Sequence, residues 1–159
     1  MNNKTKENYQ RLAAYQAGRL KELIEQIIHC CQERVFFQSQ KFNLTPAELR
    51  SILIFNNEKY QTVKGMAQKL EVAKSRVTKI MEGLLKKKLI HCIDDPGDAR
   101  VKLFSPTQAG QKKSEELNDF IKEIHNHLLT NLKPEDRKAV LSSLELLRSS
   151  MEVVKERLV

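Results

Sequence analysis

The side chains of this chain with the clearest chemical use are Lys74, Ser75, Arg76, Thr78 and Lys79, followed at a distance by Asp98, Arg100 and Lys102. Lys and Arg neutralise phosphate, and short hydroxyls reach base edges from the first turns of a helix. Val77, Ile80, Met81, Leu84 and Leu85 recur at helical spacing, so a helix from Lys74 to about Lys87 turns these inward and leaves the polar set facing out. Asp94-Asp95-Pro96-Gly97-Asp98-Ala99-Arg100 then reads as a projecting loop that ends in a cation. An arginine so placed suits the minor groove of duplex DNA, where negative potential concentrates. Asp98 is expected to hold its guanidinium extended, or to pair with it and stiffen the loop.

Charge points to the same segment. The 159 residues carry a formal charge of +8; Thr62 to Lys113 holds 12 Lys and Arg against 5 Asp and Glu, and the remainder 16 against 15. A basic surplus confined to one third of a chain is the footprint of phosphate neutralisation rather than of general solubility. The plain alternative is a solvated Lys-rich face. Its place in an order of helix, turn, basic helix, strand, loop and strand favours phosphate.

Catalytic readings find little support. There is no Gly-rich phosphate loop, nucleophile elbow or H-E-x-x-H motif, so neither an enzyme nor a cofactor is expected. His125 and His127 point in different directions on a helix, which disfavours a shared metal. Cys30, Cys31 and Cys92 form neither a disulfide framework nor a C-x-x-C zinc pattern. Adjacent Cα atoms lie about 3.8 Å apart, below the usual disulfide range, so Cys30 and Cys31 are not expected to bridge. Small buried hydrophobes are the expected role of most of the cysteines, with redox-sensing thiols as the alternative. No apolar run approaches the roughly 18 residues of a membrane span. Met1-Asn2-Asn3-Lys4-Thr5-Lys6-Glu7 lacks the apolar centre of a signal peptide, so a cytoplasmic location is expected and no membrane partner.

The elements that must position these residues read as nearly all helix. Leu12, Leu20, Leu23, Ile24, Ile27, Ile28, Cys31 and Val35 mark a long amphipathic helix from Tyr9 to about Phe37. Thr45-Pro46-Ala47-Glu48 is a capping box with proline in the first turn, opening a second helix whose inward face is Leu49, Ile52, Leu53 and Phe55. Asn56-Asn57-Glu58-Lys59 ends it. Thr62 caps a short helix through Leu70 with Met66, Ala67 and Leu70 inward, and Glu71-Val72-Ala73 makes the turn into the basic helix. Leu89-Ile90-His91-Cys92-Ile93 and Val101-Lys102-Leu103-Phe104 are expected as a two-stranded hairpin. Two further helices follow. One carries Leu117, Phe120, Ile121, Ile124, Leu128 and Leu129; the other opens at Pro134-Glu135-Asp136 and carries Val140, Leu141, Leu144, Leu147, Met151, Val154 and Leu158.

The spacing of Leu70, Val72, Ser75, Val77, Thr78, Leu84, Leu89-Ile90, Asp98-Ala99-Arg100, Thr107 and Gly110 resembles the MarR family of transcription regulators, with its D-x-R wing and following L-T-x-x-G segment. The resemblance implies a mainly α fold: a winged helix-turn-helix with a small β-hairpin wing, and long N- and C-terminal helices forming a dimerisation domain. It implies a repressor released by a small anionic or aromatic effector, with a recognition helix in the major groove and the wing arginine in the minor groove. Three positions depart from the family pattern. Ala73 stands at a usual Ser or Asp cap, Lys88 at a usual Gly, and Ala99 at a usual second wing Arg.

The expected division is 1–44 as an N-terminal dimerisation helix, 45–110 as the DNA-binding domain and 111–159 as C-terminal dimerisation helices. The terminal helices bear more apolar surface than a small module covers, so a homodimer on a pseudo-palindromic double-stranded operator is the expected assembly. An intramolecular helical bundle is the alternative. Tyr15, His29, Arg34 and Phe37 are the candidates to line an effector pocket, placed by the family likeness where the first helix, the second and the start of the fifth meet. Two other functions stay open: a repressor that senses oxidants through a Cys thiol, and a winged-helix module that binds an acidic protein without specific DNA recognition.

Overall fold

The computed structural model describes residues 3–56, 58–98 and 100–158. Asn57 of the expected connection, Ala99 of the wing, and Met1 and Asn2 of the leader reading lie outside them. The chain divides into two compact units, Met1–Lys113 and Ser114–Val159.

In the first unit, α1 spans Asn3–Phe42, longer at both ends than expected because no Gly or Pro interrupts Asn3–Tyr9 or Phe37–Phe42. It stops at Asn43, whose φ of 53° is left-handed, and the Leu44 amide donates back to the Ser39 carbonyl at 3.1 Å. The capping box then starts α2, Pro46–Ile54: the Thr45 hydroxyl accepts from the Glu48 amide at 3.2 Å and the Glu48 carboxylate from the Thr45 amide at 2.7 Å. Thr62 caps α3, Val63–Leu70, by accepting from the Gly65 amide at 3.0 Å. The turn places Glu71 at φ 54° before α4, Lys74–Lys86. Lys88 ends α4 at φ 58°, where the Leu89 amide donates to the Leu84 carbonyl at 3.0 Å. The left-handed position normally held by Gly is therefore present, and occupied by Lys.

The sheet has three strands where a hairpin was expected. β1 is Gln61–Thr62, β2 is Ile90–Asp94 and β3 is Lys102–Pro106, in the antiparallel order β1-β3-β2. β1 pairs Gln61 with Phe104 and Thr62 with Leu103. A two-residue strand has too little length to show an alternation, which is why it escaped the sequence. Ile52, Met66, Val77, Met81 and Leu84 form the centre of the core, with Leu49, Phe55, Leu70, Ile80, Ile90 and Phe104 around them. Leu53, Ala67 and Leu85, expected inside, sit half-buried at its edge.

The chain from β3 into α5, Gln108–Thr130, passes against the end of α4. The Leu89 carbonyl accepts from the Thr107 amide at 3.0 Å, and the Thr107 hydroxyl donates to the Lys88 carbonyl at 2.8 Å and accepts from the Gly110 amide at 3.1 Å. A Cβ on Gly110 would collide with the Leu89 carbonyl oxygen. Gly110 is therefore required by a close backbone approach rather than by a turn.

The second unit contains the remainder of α5 and α6, Pro134–Glu156, joined by a short turn in which Arg137 Nε donates to the Leu132 carbonyl at 3.3 Å. α6 has Glu135 and Asp136 in its first turn and buries none of its residues. The fold class is the expected one, mainly helical with a winged helix-turn-helix in the first unit. Among the described residues, no helix is long and apolar enough to cross a membrane.

Lys88→Gly removes the steric cost of a side chain at positive φ, and Ala73→Ser supplies a cap that α4 lacks. Each is expected to raise the unfolding free energy by about 1 kcal/mol. Gly110→Ala is expected to lower it by about 1–3 kcal/mol through overpacking. Urea unfolding midpoints at constant m-value check all three.

Candidate nucleic-acid interface

α4 buries Val77, Ile80, Met81 and Leu84, and this spacing leaves Lys74, Ser75, Arg76, Thr78 and Lys79 all exposed. The five expected contacts thus share the outer side of one helix. Thr78 is already engaged, because its hydroxyl donates to the Lys74 carbonyl at 3.1 Å, so it presents lone pairs and a methyl outward rather than a donor. The N-cap, Ala73, makes no side-chain bond to the helix, and the Arg76 and Val77 amides are met by its carbonyl oxygen.

The loop between β2 and β3 is shaped by its own carboxylates. Asp95 Oδ1 accepts from the Gly97 amide at 2.7 Å, and Asp98 Oδ1 accepts from the Arg100 amide at 3.0 Å. Asp98 therefore orders the backbone under Arg100 through an Asx turn. Arg100 is exposed. Lys102 is held by Asp94, its partner across the β2–β3 register. The hydrogen bond and charge of Asp94 raise the Lys102 pKa. Much of the Lys102 charge is thus offset within the wing, while Arg100 projects as the wing-tip cation.

Sequence reasoning missed the group that ties α4 to the rest of the unit. Glu48, 5 % exposed, lies against α4 at Gly83, where a Cβ would collide with its carboxylate. Lys87 Nζ donates to Glu48 Oε2 at 2.7 Å and to the Asn43 carbonyl at 2.9 Å. Burial alone would push the Glu48 carboxyl up; the bond from Lys87, the Thr45 amide and the Lys87 charge outweigh it and hold the pKa below the ordinary 4.5. A pair this far apart in the chain has no local signature, although a glycine in the middle of a helix is a signal of close approach. A second tie was also missed: Glu58 accepts from Gln61 Nε2 at 2.7 Å and pairs with Lys69, joining the start of β1 to the end of α3.

The four pocket candidates all lie on α1. Tyr15, His29 and Phe37 are exposed and Arg34 is half-buried. His29 faces Glu33 at 3.5 Å and lines a shallow groove along the helix with Glu22, Glu25, Gln26 and Cys30. The expected burial of the cysteines is corrected: Cys30, Cys31 and Cys92 are all exposed in this chain. Cys92 faces the same side as Phe104, but β2 is an edge strand that runs out past the core after Ile90. Among the described residues, no three His, Cys, Asp or Glu side chains cluster to hold a metal.

No family model matches the chain, and no curated relative does. Solved structures do. MepR, a transcription regulator of the Staphylococcus aureus multidrug efflux pump MepA, is 21% identical over 81% of this chain and 96% of its own, with a TM-score of 0.74. The S. aureus MepR–DNA complex gives 22% identity, 82% and 98% coverage and a TM-score of 0.67. YusO from Bacillus subtilis is 25% identical over 86% and 97%, with a TM-score of 0.71. At the level of fold, the resemblance to the MarR family is borne out.

Because the folded-state pKa of Glu48 is depressed, its ion pair contributes stability above about pH 4.5 and loses it as pH falls through the lower folded value. Urea unfolding of wild type and Glu48→Gln from pH 7 to pH 3 is expected to show wild type more stable at neutral pH and the gap closing in acid. A gap that widened on acidification would contradict the assignment.

Proposed function

We propose that this chain is a MarR-family transcription regulator that binds a pseudo-palindromic duplex operator as a homodimer, represses from it, and lets go when a small anionic or aromatic effector binds. The observation that carries the reading is the exposed row Lys74, Ser75, Arg76, Thr78 and Lys79 on α4, in the same compact unit as a wing tipped by Arg100. A helix whose outer side is cationic and hydroxylated, with a cationic ribbon, matches the two grooves of duplex DNA. The fold it shares with MepR, a protein solved with DNA, supports this.

Dimerisation is supported by the apolar surface left uncovered in the single chain. α1 exposes Leu12, Leu20, Leu23, Ile27 and Ile28, and α6 exposes Leu141, Leu144, Met151 and Val154, with Leu158 exposed just beyond its end. Stripes of this extent are stable in water when a second copy covers them. On this reading 45–110 binds DNA, and 1–44 and 111–159 hold the dimer in the cytoplasm. Effector release follows if a ligand held near His29, Arg34 and Phe37, which lie within about 12 Å along α1 while Tyr15 is about 20 Å further along the helix, binds more tightly to a dimer whose recognition helices are spaced wrongly for DNA.

The exposure of Cys30, Cys31 and Cys92 supports a second reading, in which a thiol senses oxidant. Peroxide that abolishes operator binding in wild type but not in a triple Cys→Ser variant is the result that establishes it. Retained binding in both favours the effector.

Sedimentation is expected to show a dimer at micromolar concentration, with half-site centres about 10–10.5 base pairs apart or a multiple of that. Arg100→Ala is expected to weaken binding evenly across sequences and to lower the salt slope by about one ion per subunit. Arg76→Ala should cost about 1–3 kcal/mol at the base pair it reads and blur preference there. In a binding-site selection, a changed half-site for Arg100→Ala and an unchanged one for Arg76→Ala would reverse these roles.

A further inference from the structure

We infer that Lys87, although it sits in the basic run Lys86-Lys87-Lys88, does not serve as a phosphate contact but acts with Glu48 as a positioning pair that sets the axial register of the recognition helix. The inference rests on the DNA-binding reading and adds a residue role to it.

The apolar stripe Val77, Ile80, Met81 and Leu84 decides which side of α4 is buried. Apolar contact is non-directional, so it resists rotation of the helix more than a small slide along its axis. Directional bonds remove that freedom, and they are found at the C-terminal end of α4. Lys87 Nζ is shared between Glu48 Oε2 at 2.7 Å and the Asn43 carbonyl at 2.9 Å, while the same Glu48 oxygen accepts from the Thr45 amide at 2.7 Å. The knot therefore joins three chain segments: the end of α1, the cap of α2 and the last turn of α4.

The Gly83 backbone leaves the space that Glu48 fills, so the carboxylate is keyed to one position along α4 as well as charged against it. The opposite end of α4, which carries Lys74, Ser75 and Arg76, has no side-chain cap to hold it. A nearly buried carboxylate with a lysine is a costly way to gain stability compared with apolar packing, and its best-attested use is to fix register. Lys87 is exposed like Lys86 and Lys88 on either side, so what sets it apart is that its ammonium is already engaged by Glu48 and the Asn43 carbonyl.

The test uses the full-length protein and three variants, Lys87→Gln, Glu48→Gln and Lys87→Arg, with circular dichroism confirming the fold of each. Binding is measured on the selected operator and on unrelated duplex across a salt series. The expected result for the two Gln variants is a loss of roughly tenfold on the operator, the size of one misplaced base contact. Binding to unrelated duplex and the salt slope should be unchanged, and Lys87→Arg should recover most of the operator affinity.

Equal losses on both duplexes with a slope shallower by about one ion per subunit would make Lys87 a phosphate contact and overturn the inference. Unchanged operator binding in folded Gln variants would make the pair merely structural, which also overturns it. Hydrogen exchange on the free protein separates this from the DNA-binding reading. If wild type selects no DNA sequence, that reading fails. The pair is then judged by the amides of Thr78–Met81: faster exchange in both Gln variants, with α3 unaffected, supports the positioning role, and unchanged exchange sinks it.

Discussion

The burial of one side of α4 is the constraint on which the rest of this molecule depends. Val77, Ile80, Met81 and Leu84 have to leave water, and they can do so only against Ile52, Met66 and their neighbours in the core. Once they are buried, helical geometry puts Lys74, Ser75, Arg76, Thr78 and Lys79 outside as a group. The cationic face is thus a by-product of the apolar one. α2 and α3 are short, and neither could hold α4 by length alone; their caps at Thr45 and Thr62 fix where each begins, and so where their buried faces fall.

Helix termination is equally determined. α1, α3 and α4 each stop at a non-glycine residue in the left-handed region, Asn43, Glu71 and Lys88, and each is followed by an amide that reaches back to the last turn. Asn tolerates that conformation at little cost; Glu and Lys tolerate it less well. Lys88 persists there because the residues after it are fastened. The Leu89 backbone is held by Thr107 and leaves no room for a side chain at Gly110. The local cost at Lys88 is outweighed by the tertiary bonds that its geometry makes possible.

The wing shows how acidic residues can serve a basic surface. Asp95 and Asp98 each give one oxygen to a loop amide, and Asp94 pairs with Lys102. The acids thereby shape the loop, and Arg100 is presented by a structured turn. A charge count of the segment, which treats all of these residues as equivalent, conceals that division.

The sequence by itself determined the helices, the starts of α2, α3, α4 and α6 and the outward set on α4, because a capping box, proline positions and periodicities of three and four residues are local signals carried by neighbours in the chain. It also marked Thr107 and Gly110 as meaningful without giving the reason, which is a backbone approach from Leu89. Tertiary structure alone decided what depends on residues far apart: the β1 strand, too short to show a pattern until Phe104 and Leu103 pair with it; the exposure of Cys92 on a strand edge; and the engagement of Lys102 by Asp94. Above all it decided that the Lys87 ammonium, on an exposed residue, is bonded to Glu48 and the Asn43 carbonyl. Local periodicity says which side of a helix is apolar; which charge meets which carboxylate is set only when the helices have packed, because that depends on distances the chain acquires on folding.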